Sequence, residues 1–224
     1  MNELILSVDT THEFGSLALL SGSDVLEEAL LHYPEGFGQI LFGRIREILD
    51  RNRRSLEEID CFAAASGPGS FTGVRIGLAC VKGLAEATGK RVVAVSNLEA
   101  LALFGAAPLR AVVLDARRGE VYGAVYGAEG KPVVNEAVMP FPAWLRTLPE
   151  SGIEFISTDF APFMPALTGT RFEHSIITTA PRALAAAIGH IALDRLRSGA
   201  AQDPAAIEAN YVRRSDAELF WKEW

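Results

Sequence analysis

The chain has 224 residues, of which 49% are hydrophobic and 22% are charged. This length suits one large domain or two small ones, and the balance is that of an ordinary soluble globular protein. No apolar run approaches the roughly 18 residues of a membrane span. The acidic start, Met1-Asn2-Glu3-Leu4, does not predict a secretion signal. We therefore expect a cytoplasmic protein with no membrane segment.

The formal net charge is −7 and the isoelectric point is about 5.2. A protein that binds a nucleic-acid backbone on its own usually presents a basic face, because its affinity comes largely from phosphate neutralisation. The composition therefore argues against tight autonomous nucleic-acid binding, but not against a role in a nucleic-acid pathway through a partner. We interpret the local arginine pairs as solvated surface charge: Arg53-Arg54, Arg117-Arg118 and Arg213-Arg214.

The first half of the chain predicts a three-stranded meander followed by alternating helices and strands. Short apolar runs predict the strands, and apolar residues at helical spacing predict the helices. This order is typical of a mixed sheet covered by helices. The predicted strands are 4–9, 16–20, 25–33, 61–65 and 92–95, and the predicted helices are 37–53, 71–87 and 97–104.

The same pattern restarts in the second half of the chain. Asp9 and Asp115 each end a predicted strand, and they lie 106 residues apart. Self-similarity at this distance predicts a duplicated unit. We predict an N-terminal lobe over 1–105 and a C-terminal lobe over 106–224, whose last segment packs back on the first lobe. The predicted strands of the second half are 110–115, 120–126 and 153–157, and its helices are 141–148 and 181–197.

A segment rich in glycine joins strand 61–65 to helix 71–87. Its glycines allow unusual backbone angles, a serine or threonine can cap the helix, and the free N–H groups there can hold an anion. The spacing matches neither a P-loop nor GxGxxG. The alternative is a flat helix face for close packing, because glycines recur every four residues. The phosphate-loop candidates are Asp9, Thr10, Gly67, Gly69, Ser70 and Thr72.

The position of Asp9 also leaves two interpretations open. A carboxylate at a strand end before Thr10-Thr11 is typical of a hairpin that wraps phosphates, where the acid positions a metal-bound water. The alternative is a turn carboxylate that accepts N–H bonds from its own turn. Asp115 is the counterpart of Asp9 in the second lobe.

No other pattern of catalytic or metal-binding residues stands out. The four histidines form neither HExxH nor HxxxH, and the GxSxG motif is absent, so we expect no metal and no catalytic residue in this chain. Cys61 and Cys80 lie in apolar segments and are expected to be buried thiols rather than a disulfide or a metal pair.

Three segments resemble the bacterial TsaB (YeaZ) family of tRNA threonylcarbamoyladenosine biosynthesis proteins. They are Ile5-Leu6-Ser7-Val8-Asp9-Thr10-Thr11, Gly67-Pro68-Gly69-Ser70-Phe71-Thr72-Gly73-Val74-Arg75-Ile76-Gly77 and Asp115-Ala116-Arg117-Arg118-Gly119-Glu120-Val121-Tyr122. The C-terminal Tyr211-Val212-Arg213-Arg214 is similar too. The resemblance implies an α/β fold of the actin/Hsp70/sugar-kinase-like (ASKHA) class, with two duplicated lobes of mixed sheets flanked by helices.

The resemblance also implies a function. Members look like degenerate copies of the catalytic paralogue TsaD, and the phosphate-loop candidates would then be vestigial. The chain would be a non-catalytic partner of TsaD and the ATPase TsaE in threonylcarbamoylation of adenosine 37 (t6A) of tRNAs that read ANN codons. It would bind no cofactor itself, because the partner complex uses ATP and Mg²⁺. It would form a homodimer when alone and reach tRNA only indirectly, through the complex.

In this family the helices of the first lobe dock on TsaD. The residues expected at that interface are Phe37, Ile40, Arg44, Gly73, Arg75, Gly77 and Lys82. Two other functions stay open at this point: an active ATPase or phosphotransferase of the same superfamily that uses Asp9, and a glycoprotease-like metallopeptidase. The aromatic residues near the C-terminus, Phe220, Trp221 and Trp224, are either a docking element or a flexible tail.

Overall fold

The computed structural model describes residues 2–213, which form two compact units. The first unit contains residues 2–97 and Arg182–Asn210, and the second contains Leu98–Pro181 and residues 211–213. Each unit is built on one five-stranded sheet. The first sheet comprises β1 (Leu4–Asp9), β2 (Phe14–Ser21), β3 (Asp24–His32), β4 (Cys61–Gly67) and β5 (Arg91–Ser96). The second comprises β6 (Leu109–Asp115), β7 (Glu120–Gly127), β8 (Pro132–Pro140), β9 (Ile153–Ser157) and β10 (Ile176–Thr179).

Helices cover these sheets. None of those within residues 2–213 is long and apolar enough to cross a membrane. The α-helices are α1 (Leu41–Arg51), α2 (Phe71–Thr88), α3 (Asn97–Ala102), α4 (Phe141–Leu145) and α5 (Ala185–Arg197). Short 3₁₀ helices lie at Phe37–Gln39, Leu56–Glu58, Ala161–Ala166 and Pro204–Ala206.

The two sheets have the same topology. The strand order is β3-β2-β1-β4-β5 in the first unit and β8-β7-β6-β9-β10 in the second. In each sheet the first three strands form an antiparallel meander, and the last two lie parallel to the first. Asp9 and Asp115 end the corresponding first strands, so the duplication predicted from the sequence is confirmed.

The structure differs from the predicted elements at several places. The predicted helix 37–53 is split into a 3₁₀ turn and α1, where Gly38 lowers the helical propensity of the first turn. The predicted helix 181–197 begins only at Ala185. The sequence analysis missed β8 and β10, which are the two edge strands of the second sheet. β8 is bounded by prolines, which only an edge strand or a strand end tolerates.

The two units are divided differently from the predicted lobes 1–105 and 106–224, of which the second was expected to have a last segment that packs back on the first. α5 belongs to the first unit, where it packs on β1, β2, β4 and β5. The C-terminal aromatic residues Phe220, Trp221 and Trp224 lie outside the described residues.

Side chains of the first sheet hold the start of α5. The hydroxyl of Ser16 accepts hydrogen bonds from the N–H groups of Leu184 (3.1 Å) and Ala185 (3.0 Å). Oε1 of Glu28 accepts one from the N–H of Ala186 (2.7 Å). These bonds satisfy amides that a helix start leaves without intrahelical partners, so α5 is capped by strands far away in the sequence.

Each unit has its own hydrophobic core. The first is mainly aliphatic and lies between the sheet and helices α1 and α2. The second is rich in aromatic rings whose centroids are 5.0–6.4 Å apart, a distance range that favours edge-to-face and tilted packing. Its aromatic members are Phe141, Trp144, Phe155, Phe160, Phe163 and Phe172.

A buried carboxylate fixes the loop before β6 in the second unit. Oε2 of Glu154 accepts hydrogen bonds from the N–H groups of Ala106 and Ala107, both 2.7 Å long, and Oε1 accepts one from the hydroxyl of Thr178 (2.5 Å). Burial raises the pKa of Glu154, but these hydrogen bonds and the charge of Arg110 outweigh it, so the pKa lies below its ordinary value of 4.5. The ionised form is therefore the one that stabilises the loop.

We predict that Glu154→Gln lowers the free energy of unfolding at pH 7 by about 1–3 kcal/mol, because two amides lose a charged acceptor. Since the pKa is lowered on folding, this stabilisation is present above the unfolded value and is lost as the pH falls below 4.5. Denaturant unfolding at pH 7 and at about pH 3 measures it. The deficit of the variant should shrink at low pH, whereas the exposed Glu150→Gln should change little at either pH. A deficit of the same size at both pH values would contradict this account.

Candidate functional site

Asp9, the last residue of β1, lies in a buried network of polar side chains. Its Oδ1 accepts hydrogen bonds from the backbone N–H of Thr11 (2.9 Å) and from the Thr11 hydroxyl (2.7 Å). Its Oδ2 accepts one from Nδ2 of Asn97 (3.2 Å). Asp9 is 1% exposed, and Thr11 and Asn97 are fully buried. The carboxylate is therefore surrounded by donors of its own unit.

Thr11 and Asn97 are site residues that the sequence analysis missed. The Thr11 hydroxyl accepts from Nδ2 of Asn97 (2.9 Å) and lies 2.8 Å from Nδ1 of His12. Because its single proton goes to Asp9, we assign the proton between Thr11 and His12 to Nδ1 of His12. One signal could have found Asn97: it directly follows β5, and the carboxyl ends of the parallel strands β1 and β5 meet at one edge of the sheet.

The tip between β1 and β2 is pressed against α2 and the loop before it. A Cβ atom on Gly73 would lie 2.0 Å from the carbonyl oxygen of Thr10, and one on Gly69 would lie 2.5 Å from that of Thr11. A Cβ on Gly77 would lie 2.7 Å from Oγ1 of Thr10. The Thr10 hydroxyl also donates to the carbonyl of Gly73 (2.7 Å). Of the two interpretations of the spaced glycines, close packing is the one that the structure bears out.

Two N–H groups at the start of α2 are hydrogen-bonded within the unit. The Ser70 hydroxyl accepts a hydrogen bond from the N–H of Gly73 (3.2 Å), so Ser70 is the N-cap. The N–H of Ser70 itself donates to the carbonyl oxygen of Thr11 (2.7 Å). That oxygen carries partial negative charge and takes the place that an anion would occupy at this amide.

Five of the six phosphate-loop candidates lie at this edge of the first sheet, and the sixth, Thr72, is exposed. Gly67 has a φ of 105°, and a Cβ there would lie 3.0 Å from the carbonyl oxygen of Asn210. Thr72 is exposed on the first turn of α2. The five that lie together are Asp9, Thr10, Gly67, Gly69 and Ser70.

The predicted partner interface needs correction at three positions. Phe37 is 5% exposed and belongs to the first core, so it does not face a partner. Gly73 and Gly77 are buried against Thr10, so their lack of a side chain serves packing within the unit. The other four predicted residues are at least partly accessible: Ile40 and Lys82 are half-buried, and Arg44 and Arg75 are exposed.

The accessible part of the two helices carries aromatic side chains. Phe42 of α1 is 59% exposed and Phe71 of α2 is 44% exposed. The guanidinium of Arg75 lies 3.6 Å from the centre of the Phe71 ring, a cation–π contact. The turn before α1 contacts α2, since a Cβ on Gly38 would lie 3.7 Å from Cδ1 of Ile76. We call Phe42, Phe71 and Arg75 the helix face.

A groove of about 350 Å³ lies beside this region, between β3 and α1. It combines an apolar floor with charged walls. Its residues include two predicted interface residues, Ile40 and Arg44, of which Arg44 also forms a 2.7 Å ion pair with Glu47. The groove is lined by Leu17, Ala29, Leu30, Leu31, His32, Tyr33, Ile40, Arg44, Glu47 and Arg51.

Metal-binding side chains are not clustered within residues 2–213, and both thiols there are buried. No three His, Cys, Asp or Glu side chains of this part of the chain are placed to hold a metal ion. Cys61 and Cys80 are unpaired and buried, as the sequence predicts, and burial raises the pKa of each thiol to about 12. A thiol of such high pKa is protonated and a poor nucleophile at neutral pH.

We predict that Gly73→Ala lowers the free energy of unfolding by about 1–3 kcal/mol, because the new Cβ collides with the Thr10 carbonyl. Gly83, ten residues further along α2, is the matched control, since a Cβ there meets nothing within 4 Å. Gly83→Ala should be neutral or stabilise the protein by up to about 1 kcal/mol through helix propensity. Denaturant unfolding measures both, and equal effects of the two substitutions would refute the packing role of Gly73.

Comparison with known protein families identifies a match over most of the chain. Residues 37–196 match the family model of TsaD, tRNA N6-adenosine threonylcarbamoyltransferase. The chain is also 31% identical over 151 residues to the tRNA threonylcarbamoyladenosine biosynthesis protein TsaB of Bacillus subtilis, a match that covers 65% of this chain and 66% of that protein. The chain matches between about half and two thirds of the length of three such relatives, from Bacillus subtilis, Escherichia coli and Haemophilus influenzae.

Solved structures agree with these matches. YeaZ from Pseudomonas aeruginosa superposes with a TM-score of 0.78 at 26% identity, covering 93% of this chain and 99% of that one. The activator of 2-hydroxyisocaproyl-CoA dehydratase from Clostridium difficile superposes with a TM-score of 0.54 at 9% identity, covering 89% of this chain and 97% of that one, which shows a shared fold alone. The predicted ASKHA fold class is thereby confirmed. The chain belongs to the family that the TsaD model describes, and its likeness to TsaB and YeaZ proteins in sequence and structure places it among them.

Proposed function

We propose that this chain is a non-catalytic subunit in the threonylcarbamoylation of adenosine 37 of tRNAs that read ANN codons. In this proposal TsaD performs the transfer, TsaE is the ATPase, and the present chain supplies a docking surface. The observation that carries the proposal is the hydrogen bonding of Asp9. All of its bonds named above come from Thr11 and Asn97 of its own unit.

A catalytic or metal-positioning Asp9 would need an accessible oxygen. Here the carboxylate is 1% exposed, and hydrogen bonds to a charged group contribute about 1.5–3 kcal/mol each. A nucleotide or metal that took over this carboxylate would first have to displace Thr11 or Asn97. The bonding of Ser70 to Thr11 supports the same conclusion for the glycine loop, because the hairpin already satisfies the amide that a phosphate would need. ATP and Mg²⁺ therefore belong to the partner complex in this proposal.

The helix face is the surface we propose for docking on TsaD. Aromatic and arginine side chains carry a large share of binding energy at protein interfaces, and Phe42, Phe71 and Arg75 supply both types. Gly43 and Gly83 are helical glycines with open space beside them, so no packing within the unit explains them. Their absent side chains would let a partner helix approach α1 and α2 closely.

The same helix face would also support the homodimer that we expect when the chain is alone. A stable interface of standard size buries about 1,600 Å² in total, so such a homodimer would have to include surface around Phe42, Phe71 and Arg75 as well. If both assemblies use Phe42, they exclude one another. Addition of TsaD would then convert homodimer into heterodimer in proportion to its concentration.

The function is tested by reconstituting tRNA modification with TsaD, TsaE and the threonylcarbamoyl-adenylate synthase, with and without this chain. We expect t6A formation to depend on the chain and to be equally fast with Asp9→Asn. The oxygen of the substituted amide can still accept from Thr11, whereas its NH₂ group would face Nδ2 of Asn97, so the variant loses that one hydrogen bond unless the Asn97 amide turns round. Circular dichroism and size-exclusion chromatography confirm that the variant is folded and assembled. A folded, assembled Asp9→Asn complex with a strongly reduced rate would assign Asp9 a catalytic role and refute the proposal.

The docking surface is tested by Phe42→Asp. We expect the affinity for TsaD to fall about 30-fold or more, because a charge in the centre of an apolar interface costs about 2 kcal/mol or more. Isothermal titration calorimetry measures this affinity. Ile176→Asp is the matched control, since Ile176 is 65% exposed on β10 of the other unit. Equal affinities for the two variants would place the TsaD interface elsewhere.

A further inference from the structure

The two edges of the first sheet differ in how they end. β5 forms one edge, and it is covered because Val92 and Gln202 exchange two backbone hydrogen bonds (3.0 and 2.8 Å). β3 forms the other edge, and no strand within residues 2–213 pairs with its outer side. Every second residue of such a strand directs its backbone N–H and C=O groups away from the sheet. β3 therefore presents an unpaired hydrogen-bonding edge.

β3 also carries more exposed large apolar side chains than any other element within residues 2–213. Three of the ten lie on this nine-residue strand: Val25 (42% exposed), Leu26 (40%) and Leu30 (52%). The groove of about 350 Å³ described above runs beside the same strand, and Leu30 is one of its lining residues. A long apolar edge strand is a template for pairing with another chain.

The acidic residues of β3 do not protect this edge. Charges on an edge strand usually discourage pairing, because another strand would have to approach them. Here, however, Glu27 accepts hydrogen bonds from Nη2 of Arg51 (2.6 Å) and Nδ2 of Asn52 (2.7 Å). Oε1 of Glu28 accepts one from the N–H of Ala186 (2.7 Å). Both carboxylates are thus bonded to helices of their own unit.

A bulge limits the regular part of the edge. The register between β2 and β3 shifts so that Leu26 has no partner on β2, and regular pairing runs from Glu27 to His32. Within this stretch Glu28, Leu30 and His32 share one face of the sheet, since side chains alternate along a strand. A second strand that paired here would meet the side chains of these three residues.

The pattern of this face is complementary to itself. If two β3 strands pair antiparallel about a two-fold axis at Leu30, each Leu30 faces the other, and each Glu28 faces His32 of the second molecule. Directly opposed apolar side chains, and acidic side chains opposite a donor, stabilise antiparallel strands. The His32 ring can donate a hydrogen bond whether it is neutral or protonated. An axis at Ala29 would instead place Leu30 opposite Glu28 and would form neither pair.

We propose that β3 pairs with β3 of a second molecule of this chain, antiparallel and about a two-fold axis at Leu30, so that two five-stranded sheets join into one of ten strands. A second molecule is the occupant because the strand's own residues complement it. The contact is separate from the helix face, which lies on α1 and α2. It therefore does not depend on the function proposed above, and it adds a second surface for self-association.

Disulfide cross-linking tests the register. Leu30→Cys places two thiols at the axis, where opposed Cα atoms of antiparallel strands are about 4.5–5.5 Å apart, within the range of a disulfide. We expect most of this variant to run as a covalent dimer on a non-reducing gel after mild oxidation. The native Cys61 and Cys80 do not compete, because both are buried and the pKa of each is about 12.

Val133→Cys is the matched control for the cross-link. Val133 is 55% exposed on β8, which is an edge strand of the second sheet. This variant should stay mostly monomeric on the same gel. Equal cross-linking of the two variants would overturn the proposal.

Sedimentation equilibrium separates this contact from the helix face. In the Phe42→Asp chain, whose helix face cannot pair, we expect a dimer that Leu30→Lys weakens at least 10-fold, because a lysine at the axis faces its own copy across the strands. Val133→Lys in the same background should leave the dimer unchanged, and thermal unfolding confirms that each variant is folded. A monomeric Phe42→Asp chain, or a dimer that Leu30→Lys does not weaken, contradicts the proposal. No TsaD or tRNA is present, so a failure of chain-dependent t6A formation would refute the function proposed above without changing this result.

Discussion

The close approach of the Thr10 carbonyl to the backbone of Gly73 is the contact on which the first unit depends. Only a glycine leaves space for this oxygen, and Gly69 and Gly77 leave space for the rest of the same tip. In this position of the hairpin, the Thr11 carbonyl accepts a hydrogen bond from the N–H of Ser70, and the Thr11 hydroxyl donates one to Asp9. One steric constraint on α2 thereby fixes a helix cap and a buried carboxylate.

The two copies of this topology differ at the hairpin that makes this contact. In the first copy the space beside the strand ends is filled by the unit's own hairpin, so polar groups that could bind a ligand are bonded internally. In the second copy the hairpin begins with the same turn at Asp115, but its tip is exposed and carries charge. The two hairpins therefore differ in burial: the first is packed within its unit, and the second is exposed.

Local signals made much of the fold predictable. Helix α2 begins at the Ser70 cap and ends at Gly89, whose φ of 66° is the usual stop signal, and both were readable from the sequence. The glycine spacing predicted a close approach but could not name Thr10 as the neighbour, since spacing carries no information on the partner. The place of α5 was unpredictable for a similar reason: its amides are capped by Ser16, 168 and 169 residues earlier.

The hydrogen bonds of Asp9 and Ser70 also indicate what ligand binding at this place would require. Removing the Thr11 hydroxyl alone would leave Asp9 with a bond from the Thr11 amide and one from Asn97, while the Thr11 carbonyl would still cover Ser70. A ligand site would form only if the whole β1–β2 hairpin moved away from α2. The glycines that leave space for the hairpin have no side chains that could then pack in its place. The hairpin, the helix cap and the carboxylate depend on one another. We therefore expect a single substitution to destabilise the first unit without making Asp9 accessible. The hydrogen bonds that stabilise the first unit are therefore the same ones that occupy Asp9 and Ser70.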